Sequence, residues 1–378
     1  MSDQHQSRAP GAVGSGSVDS SVSPLLSVDN LSVEFATPAG PLFAVRGISF
    51  DVLPGEVLGI VGESGSGKSV TAHSIMRLLP QNGRISGGGI RYLGEDVAAF
   101  EGRRLRSFRG GDVAMIFQEP GRSFDPIYSI GKTLGETIRA HEPELDEEAV
   151  REKSIQLLRE ANVPEPESRL DNFPHQFSGG LLQRIMIALA LASDPKILIA
   201  DEPTTALDVT IQAGIIDLLL RLKKDRGLSI IFITHNLALI SNIADRIVVM
   251  YAGLIMEAGE ATQVIQAPRH PYTRALLDSL LGLGQHYTRD ALPTIAGNVP
   301  NPFKPEPGCP FAPRCPLARP ECSSQVPPMA SDESDYRCIV GGIKPEGLAR
   351  NSRRDAEGGG ASGPGGETTP GSEGGSDA

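Results

Sequence analysis

The feature that most constrains the fold is a glycine-rich segment, Gly62-Glu63-Ser64-Gly65-Ser66-Gly67-Lys68-Ser69. It follows the apolar run Val57 to Val61 and precedes a helical pattern that begins near Ser69. Such a loop between a strand and a helix presents backbone N–H groups to phosphates, while Lys68 neutralises β- and γ-phosphate charge and the Ser69 hydroxyl can ligate Mg²⁺. The segment therefore predicts a phosphate-binding loop, with a plain Gly/Ser turn as the alternative.

Two acidic residues end another apolar run. Asp201 and Glu202 follow Ile197 to Ala200, a pattern typical of a buried strand whose carboxyl end reaches the ligand edge of an open α/β sheet. We expect Asp201 to hold Mg²⁺, through water, and Glu202 to act as the general base that orients and deprotonates the attacking water. Without the loop upstream, two solvated turn carboxylates would be the alternative.

A second phosphate-seeking helix start follows the motif Ser178-Gly179-Gly180-Leu181-Leu182-Gln183-Arg184, which precedes the helical run Ile185 to Ala192. Its glycines leave backbone N–H groups bare at the positive end of a helix. One nucleotide cannot easily use both sites, because its phosphates already fill the Lys68 loop. We therefore expect the second site to serve a nucleotide held by another subunit.

Taken together and in this order, the three motifs resemble those of ATP-binding cassette (ABC) ATPases, over roughly residues 25 to 266. By this resemblance Gln118, within Phe117-Gln118-Glu119-Pro120, matches the loop that senses Mg²⁺ and contacts membrane subunits. Asp208, within Ala206-Leu207-Asp208, matches the loop at the dimer interface. His235 matches the switch histidine on the γ-phosphate.

The resemblance implies ATP and Mg²⁺ as cofactors and a hydrolytic site. Its catalytic residues would be Glu202, His235 and Lys68, and its Mg²⁺ ligands Ser69, Gln118 and Asp201. Phe35 would stack on adenine, although Phe43 competes for that role. The remaining nucleotide-binding residues would be Gly62, Glu63, Ser64, Gly65, Ser66, Gly67, Val70, Ser178, Gly179, Gly180, Gln183 and Asp208.

The chain divides into four parts by composition. Residues 1–24 and 347–378 are poor in apolar side chains and are expected to be disordered tails. Residues 25–267 alternate β-branched runs with helical patterns, which predicts an α/β fold with a mostly parallel sheet. The strands are expected at Val57 to Val61, Val113 to Gln118, Ile197 to Asp201 and Ser229 to Thr234. Within this ABC ATPase domain, the charged helical pattern of residues 134–162 indicates an inserted helical subdomain at about 120–185. Residues 268–346 form a small extension rich in proline and cysteine.

All four cysteines of the chain lie in that extension, at Cys309, Cys315, Cys322 and Cys338. In a reducing compartment such a cluster suggests a metal before a disulfide. Four thiolates suit a [4Fe-4S] cluster or tetrahedral Zn²⁺. The irregular spacing, which differs from paired CxxC motifs, favours the cluster, and free thiols are the third possibility.

The extension also carries His270-Pro271-Tyr272-Thr273-Arg274 and Pro313-Arg314-Cys315-Pro316, which resemble the C-terminal extension of oligopeptide/dipeptide importer ATPases. The resemblance implies an ATPase that energises import of dipeptides or oligopeptides. Its partners would be a second, different ABC ATPase subunit, two permease subunits and an extracytoplasmic substrate-binding protein. Importers of nickel complexes or glutathione belong to the same branch and are an alternative.

The net charge and the length of the apolar runs limit the possible partners and cellular location of the protein. A net charge of −11 disfavours nucleic acid as a partner. No apolar run approaches the roughly 18 residues of a membrane span, and no secretory leader is recognisable. We therefore expect a peripheral protein at the cytoplasmic face of the cell membrane. A soluble ABC ATPase acting on ribosomes or DNA, and a non-catalytic regulatory cassette, are the less favoured readings.

Overall fold

The computed structural model describes residues 22–205, 207–279, 295–331 and 334–340. The tails expected at residues 1–24 and 347–378 lie outside the described residues, apart from residues 22–24. The strands are β1 (Leu26–Thr37), β2 (Gly40–Val52), β3 (Val57–Val61), β4 (Gly83–Tyr92), β5 (Glu95–Asp96), β6 (Val113–Ile116), β7 (Ile197–Asp201), β8 (Ser229–Thr234), β9 (Arg246–Tyr251), β10 (Leu254–Glu260), β11 (Ala330–Ser331) and β12 (Asp335–Tyr336).

At least one helix lies between each pair of successive parallel strands, as an α/β pattern predicts. The helices are α1 (Lys68–Ile75), α2 (Gly102–Arg106), α3 (Pro120–Ser123), α4 (Ile130–His141), α5 (Glu147–Glu160), α6 (Pro166–Arg169), α7 (Gly179–Ala190), α8 (Val209–Arg226), α9 (Leu237–Ile240), α10 (Ala261–Gln266) and α11 (Pro271–Asp278). Short 3₁₀ helices include Ala312–Arg314 and Pro320–Ser323, which lie among the cysteines.

The central sheet has the strand order β11-β12-β10-β9-β3-β8-β7-β6. Strands β9, β3, β8, β7 and β6 run parallel, and β10, β12 and β11 join antiparallel at one edge. Three strands match the sequence prediction residue for residue, namely β3, β7 and β8. The fourth, β6, ends at Ile116 rather than at Gln118. The parallel part of this sheet is confirmed, whereas its antiparallel edge and a second, antiparallel sheet of order β2-β1-β4-β5 were not predicted from the sequence.

The central strands alternate their side chains between two apolar cores. Leu58 and Ile60 of β3 pack with the antiparallel sheet β2-β1-β4-β5. Val57 and Val61 pack on the opposite face, against α7, α8 and the helices between residues 130 and 170. Burial on both faces explains why these strands read as continuous apolar runs rather than as alternating ones.

The helical pattern predicted at residues 134–162 corresponds to α4 and α5. Each has a side-chain N-cap, because Ser129 accepts from the N–H of Lys132 and Asp146 accepts from that of Ala149. Within the described residues, no helix combines the length and apolar character needed to cross a membrane.

Candidate active site

The glycine-rich loop connects β3 to α1, as predicted. Its glycines are required by geometry, because Gly62 has φ +156° and a Cβ there would collide with the carbonyl oxygen of Met250. Gly67 has φ +104°, and its Cβ would lie 2.6 Å from the carbonyl oxygen of Ala44. The Ser66 hydroxyl is buried and has no hydrogen-bond partner within the described residues. A buried hydroxyl without a partner in such a loop is suited to donate a hydrogen bond to a phosphate oxygen.

Lys68 is the first residue of α1, and its side chain reaches back to the start of the glycine-rich loop. Its Nζ donates to the carbonyl oxygens of Gly62 at 2.8 Å and Glu63 at 3.0 Å. Burial lowers the pKa of Lys68 from its ordinary value, and the carboxylates of Glu202, Asp201 and Glu63 act in the opposite direction. An ammonium surrounded by acceptors in this way is ready to receive phosphate oxygens.

The residues expected to hold Mg²⁺ meet at the end of β7. The Ser69 hydroxyl donates to Asp201 Oδ1 at 3.0 Å. Burial raises the pKa of Asp201, and the hydrogen bond from Ser69 opposes that shift. A hydroxyl and a carboxylate are the hard oxygen ligands that Mg²⁺ prefers, so this pair fits the ion. Gln118 does not join the pair, because its amide faces Glu202.

Glu202 is held by three side chains. Gln118 Nε2 donates to its Oε2 at 2.9 Å, and Thr205 Oγ1 donates to the same oxygen at 2.8 Å. His235 Nδ1 lies 3.2 Å from Oε1. Glu202 also has φ +47°, an uncommon backbone conformation for a residue with a side chain. Two residues that the sequence placed on separate elements, Gln118 and His235, therefore converge on one carboxylate, and Thr205 joins them there.

Burial by itself raises the pKa of Glu202. The hydrogen bonds from Thr205 and His235, together with the charges of His235 and Lys68, outweigh burial, so that the pKa lies below its ordinary value. The side chain is therefore ionised at neutral pH, the state that a general base requires.

A cavity of about 640 Å³ opens beside the loop. Residues Ser64–Val70 form its floor, and Gln118 and Glu202 line one end. Phe35 and Phe43 both line it, since β1 and β2 pair antiparallel and place Phe35 opposite Leu42, next to Phe43. The two aromatic residues between which the sequence could not choose thus share one pocket.

The C-terminal extension supplies a further wall of this cavity. Its lining residues there are Val299, Pro300, Asn301, Pro302, Pro305, Glu306 and Pro310. The backbone N–H of Phe43 donates to the carbonyl oxygen of Pro302 at 3.1 Å, which fastens the segment to β2. We call this segment, residues 299–310, the proline wall. Together with Phe35 and Phe43 it offers apolar surface to a planar base.

The second glycine motif lies elsewhere. The described lining of the cavity includes no residue from Ser178 to Arg184. Ser178 is the N-cap of α7, while Gly179 and Gly180 begin the helix. A Cβ on Gly180 would lie 2.8 Å from Ile211 Cγ2 of α8. Gln183 is buried in α7, and Asp208 caps α8 by accepting from the N–H of Ile211. Ala206 lies outside the described residues.

The four cysteines line one small cavity, together with His270 and Phe311. None of these four cysteines forms a disulfide within the described residues. Burial raises the pKa of Cys315 to about 11 and raises that of Cys309 as well. Among the described residues, no three His, Cys, Asp or Glu side chains are grouped closely enough to hold a metal ion in this conformation. The donor set suits a four-thiolate centre, and the metal itself stays a prediction.

Two contacts of the site escaped the sequence analysis. Thr205 donates a hydrogen bond to Glu202, although nothing in its local sequence marks it. Tyr272 accepts a hydrogen bond from the backbone N–H of Glu63 at 2.9 Å, across 209 residues of sequence. Tyr272 stands in the pentapeptide that signalled the C-terminal extension, but that signal identified a family resemblance and not a contact with the loop.

Comparison with known families and proteins agrees with this geometry. Residues 45–205 match the family model described as ABC transporter, and residues 256–322 match the one described as oligopeptide/dipeptide transporter, C-terminal region. The dipeptide transport ATP-binding protein DppD of Escherichia coli is 45% identical over 316 residues, which cover 83% of this chain and 96% of that protein. DppD of Haemophilus influenzae is 48% identical, covering 80% and 91%.

Solved structures show the same fold. CbiO1 of Clostridium perfringens, part of the ABC transporter complex CbiONQ, is 26% identical with a TM-score of 0.54, covering 64% of this chain and 90% of that one. The ATP-binding cassette MJ0796, in a dimeric structure with ADP and Pi, has a TM-score of 0.56 at 24% identity, covering 62% and 98%. The chain therefore belongs to the ABC transporter family, as an ABC-type ATPase whose C-terminal region is of the oligopeptide/dipeptide transporter type.

Proposed function

We propose that this ATPase is the peripheral subunit that energises import of dipeptides or oligopeptides through separate permease subunits. The observation that carries the proposal is the C-terminal region, which matches the oligopeptide/dipeptide transporter model at residues 256–322. Relatives that match over four-fifths of the chain are named for dipeptide transport. Nickel complexes and glutathione, the other substrates of this branch, are not favoured by these names.

The ATP site acts through the residues that converge on it. Lys68 and the N–H groups of Gly62–Ser69 bind the phosphates, and Ser69 and Asp201 hold Mg²⁺, which offsets phosphate charge when bound. Glu202 accepts the proton of the attacking water, and His235 orients Glu202 and contacts the γ-phosphate. Gln118 lies in the loop that follows β6, and its amide binds Glu202. By the family resemblance this loop contacts the permease, so that Gln118 links the permease to the ATP site.

Two ATPase subunits close around the nucleotide. In this arrangement the Ser178–Gly180 start of α7 completes the site of a second ATPase chain, which is a related but different protein. The separation of this motif from the cavity of its own chain supports that assignment. Two permease subunits and an extracytoplasmic substrate-binding protein complete the transporter, so the ATPase sits at the cytoplasmic face of the cell membrane.

The four cysteines hold a metal centre, a [4Fe-4S] cluster in preference to Zn²⁺. Support comes from the position of the four cysteines, which all line one cavity, and from the loop-rich chain around them, which has little regular structure of its own. The role of such a centre is structural, because metal binding contributes folding free energy where a small region is marginally stable alone.

Hydrolysis is tested by Glu202→Gln, which keeps the size of the side chain but cannot accept a proton. We expect ATP turnover to fall by about a hundredfold or more, with ATP still bound. ATPase rate and nucleotide affinity measured on the same preparation separate the two effects. Unchanged turnover would remove Glu202 from the role of general base.

Transport is tested by purifying the chain from its own membranes in mild detergent and identifying the co-purifying proteins and small ligands by mass spectrometry. We expect two permeases, a second ATPase and a binding protein that carries peptides. A binding protein that carries nickel chelates or glutathione would replace the peptide assignment. Recovery with ribosomes, or alone, would contradict transport and leave the ATPase chemistry intact.

A further inference from the structure

Arg314 belongs to the cysteine-bearing region, yet its guanidinium binds the phosphate-binding loop. Nη1 donates to Glu63 Oε2 at 2.8 Å, and Nη2 donates to Glu63 Oε1 at 3.1 Å. This is the two-pronged arrangement in which arginine–carboxylate pairs are strongest and most directional. The two residues are 251 positions apart in sequence, and the Arg314 side chain is only 5% exposed.

The guanidinium is fixed from the other side as well. Nη1 also donates to the Tyr251 hydroxyl at 3.0 Å, Nη2 to the carbonyl oxygen of Ile295 at 2.9 Å, and Nε to that of Ala296 at 2.9 Å. All three nitrogens therefore have partners on β9 or on the C-terminal region. Arg314 is a rigid attachment point rather than a mobile surface charge.

Glu63 is held at its backbone too, within the loop itself. Its N–H donates to the Tyr272 hydroxyl at 2.9 Å, and its carbonyl oxygen accepts from Lys68 Nζ at 3.0 Å. The residue that Arg314 binds thus also positions the lysine of the phosphate site. Displacing Glu63 would move both the loop backbone and the Lys68 ammonium.

We propose that Arg314 is a positioning residue of the ATP site, which holds Glu63 and so keeps the loop Gly62–Ser69 in the conformation that receives the triphosphate. The inference rests on the proposed role of this loop in ATP binding. It adds to that role a dependence on the C-terminal region. A loop that is already ordered loses less conformational entropy when its ligand binds, so it binds more tightly.

The test compares affinities for ATP and for inorganic tripolyphosphate in the full chain. For Arg314→Met we expect both dissociation constants to rise roughly tenfold to a hundredfold, the equivalent of losing hydrogen bonds between charged groups. Binding of both ligands should weaken alike, because Arg314 positions the loop that binds the phosphates and not the pocket for the base. Arg314→Lys should recover only part of the affinity, because an ammonium cannot reproduce the two-pronged pair.

A merely structural role predicts a different result. Arg337 anchors the same region, donating from Nε to the carbonyl oxygen of Ile255 at 3.0 Å and from Nη1 to that of Pro327 at 2.9 Å. Arg337→Met is therefore the matched control, expected to lower the melting temperature without changing nucleotide affinity. Arg314→Met with wild-type affinity and a similarly lowered melting temperature would overturn the proposal.

Glu63→Gln provides the second, milder variant. It should weaken ATP and tripolyphosphate severalfold, and adding Arg314→Met to it should weaken them little further, because both changes remove one contact. Full additivity of the two changes, or a wild-type affinity for Glu63→Gln, would contradict a role through Glu63. A wild-type chain that bound neither ligand would contradict the proposed function of the site itself.

Discussion

Glu202 concentrates the chemistry of the site in one side chain. Its carboxylate is 14% exposed, whereas the His235 ring beside it is 59% exposed. The Glu202 carboxylate is thus largely screened from water, while the histidine ring is exposed to solvent. Its strained backbone, φ +47°, is tolerated because three side chains fix the carboxylate, and such strain is common where a residue is oriented for catalysis.

Thr205 is one of the residues that lower the pKa of Glu202 against the effect of burial. Its hydroxyl donates to Glu202 Oε2 and stabilises the charged form, so Thr205→Val should raise the pKa of Glu202 towards its ordinary value. The carboxylate would then become protonated at a higher pH, and the acid limb of the profile of kcat against pH should move to higher pH. The measurement is ATPase rate at saturating ATP from about pH 3.5 to 8, a range that extends below the ordinary pKa of a glutamate.

Thr137→Val is the control for this change. Thr137 lies in α4 and donates to the backbone carbonyl of Thr133 at 3.0 Å, so its loss removes a threonine hydroxyl without touching Glu202. Its profile should coincide with that of the wild type. An acid limb that stayed in place in Thr205→Val would mean that Thr205 does not tune Glu202.

At the scale of elements, the local sequence pattern predicts the central strands but not the segments that pack against them. β3, β7 and β8 are buried on both faces, so each reads as an unbroken apolar run that ends at a polar or glycine residue. The proline wall and the β12–β10 pairing depend on contacts between residues far apart in sequence. No local signal encodes such contacts, because prolines that break a helix look the same wherever the segment docks.

The proline wall should contribute to binding of the base and not of the phosphates. Val299→Ser combined with Pro300→Ser removes apolar surface from the cavity wall, and we expect ATP affinity to fall by roughly threefold to tenfold. Affinity for tripolyphosphate, which has no base, should stay unchanged. Arg314→Met should weaken both ligands, whereas the wall variant should weaken ATP alone. This difference separates the effect of the C-terminal region on the loop from its effect on the pocket for the base.

Leu93→Ser serves as the matched control, since Leu93 is an exposed apolar residue between β4 and β5 and is 59% exposed. It should alter neither affinity. Equal losses for ATP and tripolyphosphate in the wall variant would show that the wall shapes the loop rather than the pocket for the base.

At the scale of the whole molecule, the C-terminal region is integrated into the ATPase rather than appended to it. β12 pairs with β10 at the sheet edge, and Tyr251, Tyr272 and Phe311 pack their rings together, with Tyr251 and Tyr272 centroids 4.6 Å apart. Glu257 of β10 accepts hydrogen bonds from the backbone N–H groups of Arg269 and His270. Loss of order among the cysteines should therefore affect the whole fold.

Cys315→Ser tests that expectation together with the proposed metal centre. Serine keeps the shape of the side chain but is a poor ligand for iron or zinc, so bound metal and the melting temperature should both fall. Because the region shares the sheet and the aromatic cluster, we expect one cooperative transition at lower temperature rather than a separate early one.

The matching changes at Cys309, Cys322 and Cys338 complete this test, because four ligands of one centre should lose the metal alike. Elemental analysis of the purified chain distinguishes iron from zinc, and Ser324→Ala, outside the four thiols, should retain wild-type metal content. Unchanged metal and melting temperature in Cys315→Ser would refute the centre. The four cysteine side chains would then pack the region without a metal, and its attachment to the ATP site would rest on Arg314, Tyr272 and the sheet alone.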